Sequence, residues 1–137
     1  NTIYADSELL KKVEILTGDY QETLVRANGN TLFYFDPPYR PLNNTSSFND
    51  YTKEAFNEVA QGGLKEFCDQ VEAAGYKFML SNSDCADMFF DDLYLHYIID
   101  RVWASRSVNA NASKRGKLTE ILVHNYKATK KHQLVTI

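Results

Sequence analysis

An acid, two prolines and a tyrosine follow one another at Asp36-Pro37-Pro38-Tyr39. The apolar run before them, residues 32–35, predicts a buried strand. Because proline can neither continue a sheet nor enter a helix interior, the strand must end here in a rigid turn. The turn presents a carboxylate, donor-free backbone and an aromatic ring at the carboxyl end of a strand. In open parallel α/β sheets, ligands bind at such strand ends.

These residue types suit alkylation of an exocyclic amine on a purine. The lone pair of that amine is delocalised into the ring, so a site must hold both N–H bonds and turn the lone pair toward the electrophile. Asp36 can accept one N–H in a charge-assisted bond, and the carbonyl of Pro37 can accept the other, with Pro38 locking the geometry. Tyr39 offers a face for stacking, worth about 1–3 kcal/mol. Such acceptors also stabilise positive charge that develops on the nitrogen, and a base in a duplex must be flipped out to reach them.

Composition narrows the class of protein. The chain has 137 residues, which is enough for one domain with a core of its own. Charged residues make up 24% and hydrophobic residues 44%, as in an ordinary globular protein. Its net charge of -3 excludes a globally basic nucleic-acid binder, so phosphate contacts require a local patch. Cys68 and Cys85 form no disulfide framework, which favours a reducing compartment, and Cys85 has no His or Cys at zinc-ligand spacing. No apolar run approaches the roughly 20 residues of a membrane span.

Strands alternate with helices along the chain, which predicts an α/β fold with a mostly parallel sheet and helices on both faces. Strands are predicted at 13–16, 32–35, 76–80, 95–102 and 120–126, and helices at 5–12, 21–27, 53–74 and 86–91. Asp6 or Ser7 is expected to cap the first helix and Asp84 the last. Gly62-Gly63 could interrupt the long helix, and Gly75 is expected to end it. A polar loop without helical pattern joins the last two strands, so we expect them to be antiparallel.

The turn resembles the catalytic motif of adenine-N6 DNA methyltransferases that use S-adenosylmethionine. The resemblance to the Dam and DpnII-type group (D12 class, alpha group) extends in order over nearly the whole chain. It is also carried by residues 13–20, by Phe48 and Tyr51, by residues 79–84 and by residues 107–122. It implies a Rossmann-like methyltransferase sheet, mostly parallel with the last strand antiparallel.

The resemblance assigns roles to individual residues. Asp36, Pro37, Pro38 and Tyr39 would hold the target adenine, with Asp36 also close to the methyl donor. Asp19 matches the acid near the donor's adenine, with Tyr20 beside it, and Ser81 and Asn82 would line the substrate pocket. The implied reaction is direct in-line methyl transfer to double-stranded DNA, with S-adenosylmethionine as cofactor, no metal and no covalent enzyme intermediate. The implied setting is the cytoplasm, with the gene carried by a bacterium or phage, in a restriction-modification or Dam-like system.

Parts of the family pattern are absent from the sequence. No Phe-x-Gly-x-Gly donor-binding segment occurs, and neither the acid of the second strand nor a target-recognition domain is found. We therefore expect residues 1–137 to be the C-terminal catalytic portion of a methyltransferase. Without the first strands the sheet would be split, leaving unpaired edges. The isolated chain is expected neither to bind the donor tightly nor to methylate DNA.

Several alternatives stay open from the sequence alone. Asp19 could be a turn residue that bonds local backbone, and Lys114, Arg115 and Lys117 could be a solvated loop or could contact DNA phosphates. His96 is expected to be buried in a strand. N4-cytosine enzymes usually carry Ser in place of Asp36 and guanine-N2 enzymes Asn, so the acid favours adenine. The remaining rival is a catalytically silent DNA-binding module.

Overall fold

The computed structural model describes residues 2–42, 56–105 and 117–127. Within these ranges the chain is an α/β structure, as predicted, in which the longest helix packs on one face of a four-stranded sheet. The elements are α1 (Thr2–Leu10), a 3-10 helix (Tyr20–Arg26), β1 (Leu32–Phe35), α2 (Glu58–Ala73), β2 (Lys77–Ser83), α3 (Phe89–Leu93), β3 (Ile98–Ser105) and β4 (Lys117–His124).

The sheet has the strand order β1-β2-β4-β3. β1 is parallel to β2, while β4 is antiparallel to both β2 and β3. Three strands therefore point the same way and only the last strand runs against them, which confirms the predicted arrangement. The carboxyl ends of β1, β2 and β3 consequently share one edge of the sheet. Asp36 follows β1 at that edge.

The core lies between α2 and the sheet. Leu64, Phe67, Cys68 and Val71 are all buried and recur at helical spacing along one face of α2. They pack against apolar side chains of β1, β2 and β4, so the predicted core role of Cys68 is confirmed. Gly62 and Gly63 lie within α2 and do not interrupt it. This packing offsets their low helix propensity, which costs about 1 kcal/mol each relative to Ala.

The ends of α2 follow from local hydrogen bonds. Asn57 begins the helix, because its side chain accepts a hydrogen bond of 3.1 Å from the backbone N–H of Ala60. Gly75 ends it with a φ of 84°, a left-handed conformation that suits glycine. The prediction of Gly75 as the terminator is confirmed.

The predicted strand at residues 13–16 is wrong. Val13, Ile15 and Leu16 are 56%, 77% and 51% exposed and belong to no strand. A strand needs a neighbour for its backbone N–H and C=O groups, and none of the described strands pairs with this segment. The predicted short helix at residues 21–27 is present as a 3-10 helix over Tyr20–Arg26.

Three assignments of capping and burial are also wrong. α1 already includes Asp6 and Ser7, so neither caps it. Asp84 caps no helix, because its carboxylate instead binds Arg101 at 3.0 Å and Thr119 at 2.6 Å. His96 precedes β3 and is exposed rather than buried.

Candidate active site

Asp36 and Ser81 lie side by side where β1 and β2 approach their carboxyl ends. The Ser81 hydroxyl donates a hydrogen bond of 2.9 Å to Oδ1 of Asp36. Tyr34 in turn donates to the Ser81 Oγ at 3.2 Å. The parallel register explains this grouping, because Phe35 pairs with Leu80 and the next residues of the two strands are Asp36 and Ser81. The carboxylate is thus exposed yet oriented by a neighbouring strand.

Tyr39 extends the same group toward β4. Its hydroxyl lies 3.5 Å from Oε2 of Glu120. Burial raises the pKa of Tyr39, and the nearby carboxylates of Glu120 and Asp36 raise it further, against the opposing effect of Ser81. The phenol therefore stays protonated at neutral pH. Glu120 was not predicted as a site residue, although an acidic residue in an otherwise apolar strand can indicate a functional position.

Asn82 lies on the opposite face of β2 from Ser81. Successive side chains of a strand alternate between faces, so two consecutive residues cannot both point into one pocket. Asn82 is fully buried, and its Oδ1 accepts a hydrogen bond of 3.0 Å from the backbone N–H of Arg40. Of the two predicted pocket residues, the structure brings only Ser81 next to Asp36.

Arg40 anchors the chain just after the turn. Its guanidinium group forms ion pairs with Glu58 at 2.7 Å and Asp87 at 2.6 Å, and lies 4.5 Å from the ring centroid of Phe89. Burial alone would lower the pKa of Arg40, but its hydrogen bonds to Glu58 and Asp87 raise it overall. The hydrogen bond from Arg40 to Asp87 in turn lowers the pKa of Asp87. Sequence reasoning missed this anchor, since its partners are 18 and 47 residues away.

Asp19 and Tyr20 lie at the start of the 3-10 helix, outside the group formed by Asp36, Ser81 and Tyr39. Asp19 caps the 3-10 helix by accepting a hydrogen bond of 2.9 Å from the backbone N–H of Gln21. The ring of Tyr20 packs edge-on against Phe67, with centroids 5.3 Å apart. A cavity of about 310 Å³ lies here, and its lining residues are Leu16, Thr17, Gly18, Asp19, Tyr20, Glu22, Thr23 and Arg26. The lining includes no residue of the Asp36–Tyr39 turn.

The remaining predicted contacts are placed only in part. Lys114 and Arg115 lie outside the described residues, and Lys117 is the first residue of β4. Within the described ranges no three His, Cys, Asp or Glu side chains cluster as a metal ion would need. No helix in that part of the chain is long and apolar enough to cross a membrane.

The sheet topology and the acid–proline–proline–tyrosine turn at its carboxyl edge define a methyltransferase-type α/β sheet. Residues 1–108 match the family described as D12 class N6 adenine-specific DNA methyltransferase. The chain therefore belongs to this family, as its resemblance implied.

Similar proteins carry related names. The chain is 44% identical over 121 residues to the type II methyltransferase M.MjaIII of Methanocaldococcus jannaschii, covering 88% of this chain and 42% of that protein. It is 39% identical to the type II methyltransferase M1.LlaDCHI of Lactococcus lactis, covering 83% and 39%. A DNA adenine methylase of Vibrio cholerae is 28% identical, covering 85% and 42%. The chain thus spans about two fifths of the length of these relatives.

Proposed function

We propose that this chain supplies the base-accepting part of a site-specific DNA methyltransferase. The enzyme would transfer a methyl group from S-adenosylmethionine to N6 of a flipped-out adenine, in a restriction-modification or Dam-like system. The observation that carries this proposal is the exposed Asp36 carboxylate, oriented by Ser81 at the start of the Asp36-Pro37-Pro38-Tyr39 turn.

The contacts of Asp36 leave it able to act as the proposed acceptor. A carboxylate has about four lone-pair sites, and the hydrogen bond from Ser81 occupies one on Oδ1. Asp36 would accept one N–H of the adenine amine and the Pro37 carbonyl the other. The nitrogen lone pair would then form the new N–C bond as the C–S bond of the donor breaks. The proton leaves the nitrogen after attack, so no strongly basic side chain is needed.

The donor would be held in part near Asp19. When bound, S-adenosylmethionine would supply the methyl group from its positively charged sulfonium sulfur. The cavity beside Asp19 and Tyr20 has a volume of about 310 Å³, at the lower end of the range for ligand pockets. A carboxylate in its lining could accept an N–H of the donor's adenine. In this proposal the cavity would take one end of the donor and Asp36 would approach the other end.

We propose further that residues 1–137 are the C-terminal catalytic portion of the enzyme. α1 contains no buried residue, although it carries several large apolar side chains. Large apolar side chains exposed in such number in one short helix favour a contact with another part of a protein. The donor-binding segment and the target-recognition domain would supply that contact.

Lys114, Arg115 and Lys117 would bind DNA phosphates, giving binding a strong salt dependence.

A chimeric enzyme tests the proposal. The matching part of the M.MjaIII methyltransferase is replaced by this chain, and transfer of labelled methyl groups to DNA is measured, with the product bases identified. We expect N6-methyladenine, its loss in an Asp36→Ala variant, and no transfer by the isolated chain. N4-methylcytosine would contradict the assignment to adenine. DNA binding without transfer by a folded chimera would favour a silent DNA-binding module.

A further inference from the structure

We propose that Gln61 and Asn82 are positioning residues for the catalytic turn. Their two side-chain amides form a continuous link, here called the amide bridge, between the backbone on either side of Tyr39. The catalytic consequence of this bridge rests on the proposed methyl transfer, whereas the bridge as a support for the backbone does not. It gives Asn82 a role different from the pocket lining that its family resemblance implied.

The Asn82 end of the amide bridge holds the chain after Tyr39. Oδ1 of Asn82 accepts the backbone N–H of Arg40 at 3.0 Å and that of Ser83 at 2.9 Å. Its Nδ2 donates to Oε1 of Gln61 at 3.4 Å. The side chain lies wholly inside the protein and binds backbone, so it acts behind the turn rather than in front of it.

The Gln61 end holds the chain before Tyr39. Gln61 lies in the first turn of α2 and is 1% exposed, which is unusual for a glutamine. Its Nε2 donates to the backbone carbonyl of Pro38 at 3.4 Å. The amide bridge therefore runs from the Pro38 carbonyl through Gln61 and Asn82 to the Arg40 N–H.

The two prolines explain why the turn needs such a support. Neither Pro37 nor Pro38 has a backbone N–H, so this segment cannot be fixed through donors at those positions. The Pro37 carbonyl must remain open for the target amine in the proposed reaction. The Pro38 carbonyl and the Arg40 N–H can both be bound without blocking the Pro37 carbonyl, and the amide bridge binds both.

Catalytic geometry is sensitive to this kind of support. A misplacement of about 1 Å at a reacting group can slow a reaction by about 100-fold. If Gln61 loses its amide, Asn82 loses a partner and the Pro38 carbonyl is released, so the turn that carries the Pro37 acceptor is held less firmly against α2 and β2. Loss of the bridge should therefore reduce the rate of transfer more than the binding of DNA or donor.

Gln61→Met tests the bridge, with Gln70→Met as the matched control. Methionine resembles glutamine in length but has no amide, and Gln70 is an exposed residue of the same helix. In the 137-residue chain we expect the Arg40 amide to exchange with deuterium at least about 10-fold faster in Gln61→Met than in Gln70→Met. The Phe67 amide, inside α2, should be unchanged. Unchanged Arg40 exchange would overturn the amide bridge.

The kinetic arm uses the chimera described above. We expect Gln61→Met to lower kcat about 10- to 100-fold with KM for DNA and donor within about twofold, at a temperature well below unfolding. Gln61→Glu places a buried carboxylate against the Pro38 carbonyl, so it should lower kcat at least as much as Gln61→Met. Faster Arg40 exchange with unchanged kcat would overturn the catalytic role. If the unmodified chimera is inactive, the proposed function fails, and the exchange measurement still decides whether the bridge holds the turn.

Discussion

Two regions of the molecule differ in how their side chains find partners. In the strand-end region, residues 34–41 with their partners on β2 and α2, polar side chains bind one another or backbone groups. In the amino-terminal segment, residues 2–16, large apolar side chains face solvent. They include Ile3, Leu9 and Ile15, which are 77%, 61% and 77% exposed.

The difference shows which of the two regions is packed within the described residues. The strand-end region rests on a core of its own, because α2 packs directly behind it. The amino-terminal segment buries almost nothing, so its conformation gains little from packing within the described residues. This contrast supports the proposal that the chain supplies the base-accepting side of the site and that the donor side requires further parts of an enzyme.

The largest stability difference should come from truncating one apolar side chain in each region. Phe67 is 1% exposed and contacts the rings of Tyr20, Phe33 and Phe35, so Phe67→Ala should lower the free energy of unfolding by about 3–5 kcal/mol. Leu10 is 58% exposed, so Leu10→Ala should change it by less than about 0.5 kcal/mol. Urea unfolding followed by circular dichroism measures both. Equal losses would mean that α1 packs as firmly as α2.

The next largest effect should be a loss of stability at alkaline pH, caused by the buried Cys68 of α2. Burial raises the pKa of Cys68 to about 12, with a further contribution from Asp69. A thiol with a raised pKa in the folded state stabilises the fold fully below its unfolded pKa, near 8.5, and this contribution is lost as the pH rises toward the folded value.

The unfolding free energy should therefore fall between pH 7 and pH 10 by about 1–2 kcal/mol more in the natural chain than in Cys68→Ala. Parallel urea titrations of the two proteins at the two pH values give the difference. A Cys68→Ala variant that loses as much stability as the natural chain would show that the folded thiol ionises normally.

The smallest effect should come from removing Arg40 from the strand-end region or Arg26, which pairs with Glu14 of the amino-terminal segment. Arg40 has a side chain 20% exposed, two ion pairs and a ring beneath it, so Arg40→Met should cost about 1 kcal/mol. The ion pair of Arg26 with Glu14 joins side chains that are 58% and 71% exposed. Arg26→Met should cost no more than a few tenths of a kcal/mol. Thermal unfolding at 0.1 and 1 M NaCl checks this, and a larger loss in Arg26→Met would reverse the ranking.

The sequence predicted the elements that have strong local signals. Hydrophobic patterning predicts the strand before Asp36 and the apolar face of α2. The conformational freedom of glycine predicts the end of α2 at Gly75. The polar loop before the last strand predicts its antiparallel direction. Residues 13–16 look equally strand-like, but a strand also needs a neighbour that periodicity cannot supply.

The details of the site depended on contacts between distant residues. Ser81 and Asn82 point to opposite faces because β2 continues through Ser83, beyond the predicted strand at 76–80. The links from Gln61 to Pro38 and from Arg40 to Asp87 span 23 and 47 residues, and no local pattern encodes them. The family resemblance identified the motif but not the amides that support it.

Amide hydrogen exchange along the 137-residue chain tests the contrast between the two regions most directly. We expect the amide of Arg40, bound by Asn82 at 3.0 Å, to exchange at least about 100-fold more slowly than an unstructured peptide. The amides of residues 13–16 should exchange within about 10-fold of unstructured rates. Arg40 exchanging as fast as residues 13–16 would contradict the claim that this chain assembles the base-accepting side of the site by itself.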